Sequence, residues 1–280
     1  MSKIGIIDVG GGVRAVYAAG VLEYCLENNI TFDMAIGVSS GSGNLTNFIS
    51  RQKGNNKRYY TDFSLRKECA SLRNIITKGY LIDLEYIYGK LINSDGEAPL
   101  DYEAFVNNEM GFTVVATDAE TGEAVYFDKS DIKLDNYRVL MASSCIPSFS
   151  KPAEVEGKIY FDGALSDSIP VDKAFEMGCD KVVLILARPK TEERKVGKDI
   201  KYASKIKRKY PNASSKMEER ALLYNESLKR AKEYERQGKL LIVAPDDTCG
   251  VTTVTKDVKA LEQLYEKGMK DAVAIAEFIK

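Results

Sequence analysis

The stretch Gly37-Val38-Ser39-Ser40-Gly41 decides the fold class of this chain. The apolar run Met34–Val38 predicts a buried strand before it, and residues 41–49 predict a helix after it. A serine flanked by glycines between a strand and a helix is typical of a nucleophile elbow, the tight turn that exposes a catalytic hydroxyl. The predicted helix also points its positive N-terminal end at the serine. A glycine-rich turn in which Ser39 or Ser40 merely caps the helix is the competing interpretation.

A second glycine-rich turn, Asp8-Val9-Gly10-Gly11-Gly12-Val13-Arg14, lies upstream of the first. It joins a buried strand predicted at 4–9 to a helix predicted at 14–27. Consecutive glycines leave backbone N–H groups free and allow another group to approach closely. The N–H groups of Gly11, Gly12 and Val13 are therefore candidate donors to an oxyanion.

Two other interpretations of this turn stay open. It is compatible with a plain connection between strand and helix. The spacing Gly10-x-Gly12-x-x-Ala15 also fits a dinucleotide-binding fingerprint, which requires an acidic residue at the end of the second strand. In this chain Ser39 follows that strand, so the acidic residue is missing.

A third turn is Tyr160-Phe161-Asp162-Gly163-Ala164, which follows a short predicted strand at 158–161. Asp-Gly pairs are strong turn formers, and in isolation a turn without chemistry is the simpler interpretation. The same aspartate is the candidate base if the first two turns form a catalytic site.

The rest of the chain alternates predicted strands and helices, which indicates an α/β sheet with helices on both faces. Strands without alternating polar residues favour parallel positions that are buried on both sides. The further predicted segments are strands at 112–117, 124–127 and 181–187, and helices at 136–144 and 171–177. We therefore predict a three-layer α/β/α sandwich with a mainly parallel central sheet.

The C-terminal part has a different character and predicts a helical extension packed on the core. Residues 188–216 hold 11 Lys/Arg and 3 Asp/Glu, which favours a solvated linker over a contact with an anionic membrane. An amphipathic helix is predicted at 218–237, then one strand at 240–244 and a closing helix. The predicted domains are residues 1–190, with the catalytic turns, and residues 191–280.

Composition excludes several classes of function. The 280 residues include no histidine, which rules out a Ser-His-Asp triad within this chain. Five scattered cysteines without a CxxC pair predict reduced thiols and no zinc site, and a net charge of −1 gives no reason to expect nucleic acid. The N-terminus resembles no signal peptide, and no run of about 18 apolar residues occurs, so a cytoplasmic protein is expected.

Together, the three turns resemble the patatin-like phospholipase family, and the resemblance covers residues 3–190. At two positions where that family often has glycine, this chain has Ala15 and Ala164. The stretches that carry the resemblance are Gly10-Gly11-Gly12-Val13-Arg14-Ala15, Ala19-Gly20-Val21-Leu22, Gly37-Val38-Ser39-Ser40-Gly41-Ser42-Gly43, Ser143-Ser144-Cys145-Ile146-Pro147, Phe161-Asp162-Gly163-Ala164 and Ile169-Pro170-Val171.

The resemblance implies a lipid acyl hydrolase with a Ser39–Asp162 dyad and no cofactor or metal. A lipid or another acyl ester is the expected substrate, with a candidate peripheral membrane contact through residues 188–216. Arg14 is expected to anchor the glycine-rich turn. The alternatives are a dinucleotide-binding protein and a lipid-binding protein of this fold without activity. The residues expected to support the site are Gly10, Arg14, Gly37, Gly41 and Gly163.

Overall fold

The centre of the molecule is a mixed β-sheet between two layers of helices. A computed structural model describes residues 2–280 of the chain. Within them the sheet order is β5-β6-β3-β2-β1-β7-β8, and β4 pairs with β3 as well. The strands are β1 (Ile4–Asp8), β2 (Met34–Val38), β3 (Gly111–Asp118), β4 (Ala124–Asp128), β5 (Ala153–Val155), β6 (Lys158–Asp162), β7 (Lys181–Ile185) and β8 (Leu240–Val243).

Helices cover both faces of this sheet. The segment after β2 contains several short helices, with a π-helical turn at Ile87–Leu91. The helices are α1 (Val16–Glu27), α2 (Ser40–Ile49), α3 (Asn55–Thr61), α4 (Leu72–Lys78), α5 (Leu84–Tyr86), α6 (Tyr102–Asn107), α7 (Arg138–Ser144), α8 (Val171–Glu176), α9 (Lys198–Ile206), α10 (Pro211–Arg236), α11 (Val258–Asp271) and α12 (Val273–Phe278).

The predicted α/β/α sandwich is confirmed. Strand β1 illustrates why the strands do not alternate between apolar and polar residues. Strands β3, β2, β1, β7 and β8 are parallel to one another. Ile6 packs in one core with residues of α1, α2, α7 and α11. The next residue, Ile7, packs in a second core with residues of α8 and α10. Because successive side chains point to opposite faces and both faces are covered, both must be apolar.

The C-terminal region contributes to the same layers as the rest of the chain. Strand β8 extends the sheet beside β7, and α11 packs closely on α1. A Cβ at Gly20 of α1 would lie 2.0 Å from the carbonyl oxygen of Tyr265, so only glycine fits this contact. Helix α10 begins at Pro211, earlier than the predicted start at 218, because proline suits the first turn of a helix. A domain boundary at 190 stays a prediction.

The strand register brings the second and third turns together. Val38, the last residue of β2, pairs with Val115 of β3. One step further along β3, Ala116 pairs with Asp162, the last residue of β6. At Ala116, β4 pairs with one edge of β3. Strand β6 therefore pairs with the opposite edge, which is the edge that β2 occupies as far as Val115. The residue after β2, Ser39, therefore meets the end of β6.

Candidate active site

Ser39 lies in a turn with a strained backbone. Its φ of 57° and ψ of −136° are unusual for a residue with a side chain, and such conformations cost about 1–3 kcal/mol. Two hydrogen bonds hold the turn. The Ser39 N–H donates to Ser143 Oγ at 2.9 Å, and Ser42 Oγ donates to the Ser39 carbonyl at 2.7 Å. The turn thus has the geometry of a nucleophile elbow.

The glycines on either side of Ser39 are required by close backbone contacts. A Cβ at Gly37 would lie 2.5 Å from Ser42 Cα, on the first turn of α2. A Cβ at Gly41 would lie 2.2 Å from the backbone oxygen of Asp8. Neither clash can be relieved by a side-chain rotation, because the atoms that are met belong to the backbone. The Gly-x-Ser-x-Gly pattern is therefore a steric requirement of this turn.

Two more of the predicted supporting glycines also lie against backbone. Gly10 has a φ of 64°, and a Cβ there would lie 2.5 Å from the Val38 carbonyl oxygen. A Cβ at Gly163 would lie 2.3 Å from the Val115 carbonyl oxygen. These two glycines let the glycine-rich turn and the start of the third turn approach the strands on which the site is built.

The structure brings the side chains of Ser39 and Asp162 into direct contact. Ser39 Oγ donates to Asp162 Oδ2 at 2.7 Å, and both residues are buried. The other carboxylate oxygen, Oδ1, accepts the Ala164 N–H at 2.8 Å. Thr117 Oγ1 donates to the Asp162 carbonyl at 2.8 Å. The carboxylate is therefore fixed from two sides, with one oxygen aimed at the serine.

Burial raises the pKa of Asp162 above its ordinary value. Four groups oppose that rise because they stabilise the charged carboxylate: the Ser39 hydroxyl, the Ala164 N–H and the positive charges of Arg220 and Arg194. An ordinary aspartate, with a pKa of about 3.9, is a weak base near pH 7. Burial therefore makes the Asp162 carboxylate a stronger proton acceptor than an ordinary aspartate, and the four groups limit this change.

The three predicted oxyanion donors differ in their hydrogen bonds. The Gly11 N–H donates to Ser40 Oγ at 3.1 Å, an acceptor that can rotate away. The Val13 N–H donates to the carbonyl of Thr253 at 3.1 Å. It is therefore not free to donate to an oxyanion, and the prediction of Val13 as an oxyanion donor is corrected. Gly12 has no acceptor for its N–H among residues 2–280. Gly12 and Gly11 are the donors that this geometry favours.

A buried polar network lies beneath the glycine-rich turn. Asp8 Oδ1 accepts the Gly10 N–H at 2.9 Å, and Asp8 Oδ2 accepts Asn44 Nδ2 at 2.9 Å. Tyr60 Oη donates to Asn44 Oδ1 at 2.9 Å. Burial raises the pKa of Asp8 to about 6, against the effect of both of its hydrogen bonds. Asp8 thus fixes the turn from below and does not contact the serine hydroxyl.

Arg14 does not have the anchoring contacts that the sequence predicted. Its guanidinium has no hydrogen bond or ion pair within residues 2–280, and Nε is buried without a partner. The side chain points into a small cavity beside the dyad instead of bonding to the turn. Burial, together with the charge of Arg188, lowers the pKa of Arg14 to about 10.

Two cavities meet at Ser39. The larger has a volume of about 700 Å³ and extends beneath α4 and α5. The smaller has a volume of about 180 Å³ and lies on the Asp162 side. The apolar side chains that line the larger cavity include Leu72, Leu81, Leu84, Ile87, Ile146 and Val254.

The sequence does not reveal several site residues, because each is distant in sequence from the residue that it contacts. Ser143 lies in a stretch that carries the family resemblance, and its hydroxyl holds the Ser39 backbone. Asn44 and Thr253 contact the glycine-rich turn from α2 and from the C-terminal region. Arg220 and Tyr224 reach the smaller cavity from α10. No local pattern marks such long-range contacts.

The described residues 2–280 contain no group of three or more His, Cys, Asp or Glu side chains arranged to hold a metal. Fold and site together define an α/β/α protein with an elbow serine after β2 and a carboxylate at the end of β6.

The chain belongs to the patatin-like phospholipase family, whose model matches residues 9–175, more than half of its length. A second family model, a domain of unknown function named DUF6363, matches residues 210–280. The chain is 29% identical over 192 residues to the uncharacterized protein YjjU of Escherichia coli (strain K12). That alignment covers 67% of this chain and 52% of YjjU, so the chain spans about half the length of this relative.

The fold is similar to that in the crystal structure of VipD from Legionella pneumophila. The superposition has a TM-score of 0.53 at 13% sequence identity and covers 99% of this chain and 67% of that one. At this identity the likeness concerns the fold alone.

Proposed function

We propose that the protein hydrolyses carboxylic esters of lipids, with Ser39 as nucleophile and Asp162 as general base. The observation that carries this proposal is the 2.7 Å hydrogen bond from Ser39 Oγ to Asp162 Oδ2, made beside an apolar cavity of about 700 Å³. The absence of histidine from the sequence leaves the carboxylate as the group in contact with the serine hydroxyl. Family membership supports lipid acyl hydrolysis as the general class of reaction.

In the first half-reaction, Ser39 Oγ attacks the ester carbonyl carbon while its proton passes to Asp162 Oδ2. The carbonyl oxygen becomes an oxyanion, which the Gly12 N–H stabilises, joined by the Gly11 N–H once Ser40 rotates. Collapse of the tetrahedral intermediate breaks the bond to the alcohol oxygen. That alcohol leaves with the proton from Asp162, and the acyl group stays on Ser39.

The second half-reaction releases the acyl group by the same geometry. A water molecule attacks the acyl carbonyl carbon and gives a proton to Asp162. The second tetrahedral intermediate then breaks its bond to Ser39 Oγ, which takes the proton back from Asp162. The products are a carboxylic acid and the regenerated enzyme, and no other reactant is needed.

The larger cavity is suited to bind the acyl chain of the substrate. It opens at Ser39 and is lined mainly by aliphatic and aromatic side chains. Burial of one CH₂ group contributes about 0.8 kcal/mol, so each methylene held in the cavity raises kcat/KM up to about fourfold. We expect the efficiency to rise with acyl length until the cavity is filled.

This expectation is tested with p-nitrophenyl esters of increasing acyl length, each below its solubility limit. Initial rates should give a kcat/KM that rises by at least tenfold between the acetate and the octanoate. Equal efficiencies for these two esters would contradict the assignment of the cavity. Absence of hydrolysis of every ester, with intact fold, would favour the alternative of a lipid-binding protein without activity.

The dinucleotide alternative is disfavoured by the packing of the glycine-rich turn. Thr253 covers Gly12, where a Cβ would lie 2.5 Å from Thr253 Cγ2. A pyrophosphate needs such a turn to be open to close approach. The Val13 N–H, which would face the ligand, already donates to Thr253.

A peripheral membrane contact is best supported at the mouth of the larger cavity. No helix within residues 2–280 is long and apolar enough to cross a bilayer. Helix α4, however, exposes Leu72 by 75% and Ile76 by 85%, and Leu72 also lines the cavity. Lys67 and Lys256 lie around the same opening. Apolar side chains rimmed by cations suit the boundary between head groups and acyl chains. We place the contact here in preference to residues 188–216.

Co-sedimentation with vesicles separates the two membrane surfaces. Ile76→Ser should weaken binding to phosphatidylcholine vesicles containing anionic lipid, because it removes an exposed apolar side chain. Leu222→Ser, which changes an exposed leucine of α10 outside this opening, is the matched control. Equal binding by wild type and Ile76→Ser would contradict a contact through α4. Binding that is lost at high salt yet unaffected by Ile76→Ser would favour residues 188–216.

A further inference from the structure

The buried carboxylate of Asp162 is held by hydrogen bonds and not by a salt bridge. Within residues 2–280 these hydrogen bonds come from the Ser39 hydroxyl and the Ala164 N–H. Asp162 is only 1% exposed, and a buried carboxylate without a cation in contact tends to take up a proton. A protonated Asp162 could not accept the proton of Ser39 Oγ. The ionised form therefore needs positive charge from elsewhere in the molecule.

The smaller cavity supplies such charge, since four arginines line it together with Asp162. Arg14 comes from the glycine-rich turn, Arg188 follows β7, Arg194 precedes α9 and Arg220 belongs to α10. Asp162 is the one carboxylate that lines this cavity among the residues that the structure describes. Charges that face a cavity with buried walls are screened less than charges in water. The arginines can therefore act on Asp162 through space, without direct contact.

Two of these arginines share one carboxylate, that of Asp199 in the first turn of α9. Asp199 accepts two hydrogen bonds from Arg220, at 3.0 and 3.1 Å, and lies 3.4 Å from Arg194. The three side chains are between 12% and 19% exposed. We call Arg194, Asp199 and Arg220 the Arg–Asp–Arg triad. With two cations and one anion, the triad keeps a net positive charge beside the cavity.

Tyr224 holds the triad from the side of Arg194. The ring centroid of Tyr224 lies 5.5 Å from Arg194 Cζ, a distance that suits a cation–π contact. Such a contact leaves the N–H groups of Arg194 free to face Asp199. Burial, followed by the charge of Arg220, lowers the pKa of Arg194 to about 10, so Arg194 is still charged near pH 7. The positive charge of the triad is thus fixed in position and present at neutral pH.

The other titratable groups around Asp162 leave the arginines as the charges at the cavity near neutral pH. Burial raises the pKa values of Tyr88 and Cys145 to about 12 and that of Tyr224 above its ordinary value, so all three are neutral. Asp8 and Asp167, whose pKa values burial also raises, lie outside the cavity. The charged groups at the cavity are Arg14, Arg188, Arg194 and Arg220, with Glu192 paired to Arg188 and Asp199 paired to the last two.

We propose that the Arg–Asp–Arg triad holds Asp162 in the ionised form that the reaction requires, with Asp199 as the counter-ion that limits this effect. Arg194 and Arg220 are then positioning residues that act through the base. This inference rests on the proposed hydrolase function and adds to it a role for the C-terminal part of the chain. Arg220 lies in the region matched by the second family model, whereas Asp162 lies in the region matched by the first.

Cations at a distance suit this role better than a salt bridge would. A guanidinium in contact with Asp162 would lower the pKa of the carboxyl well below its ordinary value and leave a poor base. During the reaction the negative charge moves from Asp162 to the oxyanion, and Gly11 and Gly12 line the same cavity. The triad therefore faces negative charge before and after the proton transfer. We expect the triad to set the pH at which the enzyme becomes active and to leave the maximal kcat/KM nearly unchanged.

The acid limb of kcat/KM, measured on the full-length protein with a soluble p-nitrophenyl ester, tests the proposal because it reports the pKa of the base in the free enzyme. Arg220→Gln removes a positive charge, which destabilises the ionised form of Asp162, so the limb should move to higher pH by about half a pH unit or more. Asp199→Asn removes a negative charge, so the limb should move to lower pH. The plateau above the limb should stay within a few fold of wild type in both variants.

Three further variants separate the effect of charge from that of structure. The double variant Arg220→Gln/Asp199→Asn removes one charge of each sign, so its acid limb should return close to that of wild type. Arg220→Lys keeps the charge and should also keep the limb, although lysine cannot form the paired hydrogen bonds of arginine. Arg230→Gln is the matched control on α10, since Arg230 pairs with Asp172 outside the cavity. An unmoved limb in both Arg220→Gln and Asp199→Asn, or a shift of both in the same direction, would overturn the proposal.

Arg194→Gln takes the place of Arg220→Gln if the latter does not fold. It leaves Asp199 paired with Arg220 through two hydrogen bonds, so it disturbs the packing of α9 and α10 less. The expected shift of the acid limb has the same direction, because the substitution again removes one positive charge from the triad. A limb at the wild-type position in folded Arg194→Gln and in Asp199→Asn would count against the proposal as strongly.

Carbon-13 NMR titration of the Asp162 carboxyl group tests the triad independently of turnover. The signal is assigned by its loss in Asp162→Asn. Its midpoint should lie at higher pH in Arg220→Gln and at lower pH in Asp199→Asn than in wild type, and equal midpoints in the three folded proteins would refute the role of the triad. If wild type hydrolyses no ester, the proposed function fails and this titration alone decides on the triad. Midpoints that move while the acid limb stays would contradict Asp162 as the base, not the action of the triad on its charge.

Discussion

Asp162→Asn is expected to lower kcat for soluble esters by about 10²- to 10⁴-fold, the usual contribution of a general base. The amide cannot take the proton of Ser39 Oγ, although it has nearly the shape of the carboxylate. Its oxygen can still accept the Ala164 N–H, which now donates to Asp162 Oδ1. The fold should therefore be kept, and thermal unfolding together with p-nitrophenyl ester hydrolysis checks both expectations.

Asp118 is the matched control for this substitution, since it is the last residue of β3 and pairs with Tyr160 of β6, the strand that ends at Asp162. Its Oδ1 accepts the N–H groups of Glu120 and Thr121 at 2.9 Å and thereby stabilises the turn between β3 and β4. Asp118→Asn should keep kcat within a few fold of wild type. Full turnover by Asp162→Asn, with strong loss in Asp118→Asn, would reverse the assignment of the base.

Ser39→Ala is expected to reduce hydrolysis to the level of the uncatalysed reaction plus any contribution of the empty site. The loss should exceed that of Asp162→Asn, because without the hydroxyl no acyl-enzyme can form. Alanine at this position keeps the φ of 57° and removes only the oxygen that donates to Asp162. Initial rates measured beside Ser215→Ala, an exposed serine of α10, give the comparison. Turnover of Ser39→Ala near the wild-type rate would contradict the proposed mechanism.

The parts of the site that the sequence predicted are those formed by neighbouring residues. Gly37 and Gly41 flank a serine between a strand and a helix. The structure explains why both are glycine, because an added Cβ would lie only 2.5 Å from a backbone atom at Gly37 and 2.2 Å from one at Gly41. The α/β/α fold was predictable for a similar reason, because strands such as β1 are apolar on both faces. Local pattern carries this information directly.

The meeting of Ser39 with Asp162 was predicted by resemblance and not by local pattern. The physical cause is the register of three strands, in which Val38 and Asp162 pair with consecutive residues of β3. Pairing between strands that are far apart in the chain leaves no periodic signal. The commitment of the Val13 N–H to Thr253 was hidden for the same reason, since its acceptor lies in the C-terminal region.

The sequence shows the positive charges that surround the smaller cavity, but it does not predict where these side chains lie. Residues 188–216 show a large positive charge, and composition alone cannot tell an exposed arginine from one that turns inward. Arg194 turns inward because Asp199 and the ring of Tyr224 receive its guanidinium. Both partners depend on the packing of α9 and α10, which the sequence pattern does not determine.

Intact-protein mass spectrometry after treatment with a fluorophosphonate tests the central claim, that Asp162 activates Ser39 as the nucleophile, most directly. We predict one adduct per chain in wild type, located on Ser39 by peptide mapping. The rate of labelling should fall strongly in Asp162→Asn, and no adduct should form in Ser39→Ala. An adduct on another residue, or labelling of Ser39→Ala at the wild-type rate, would contradict the account.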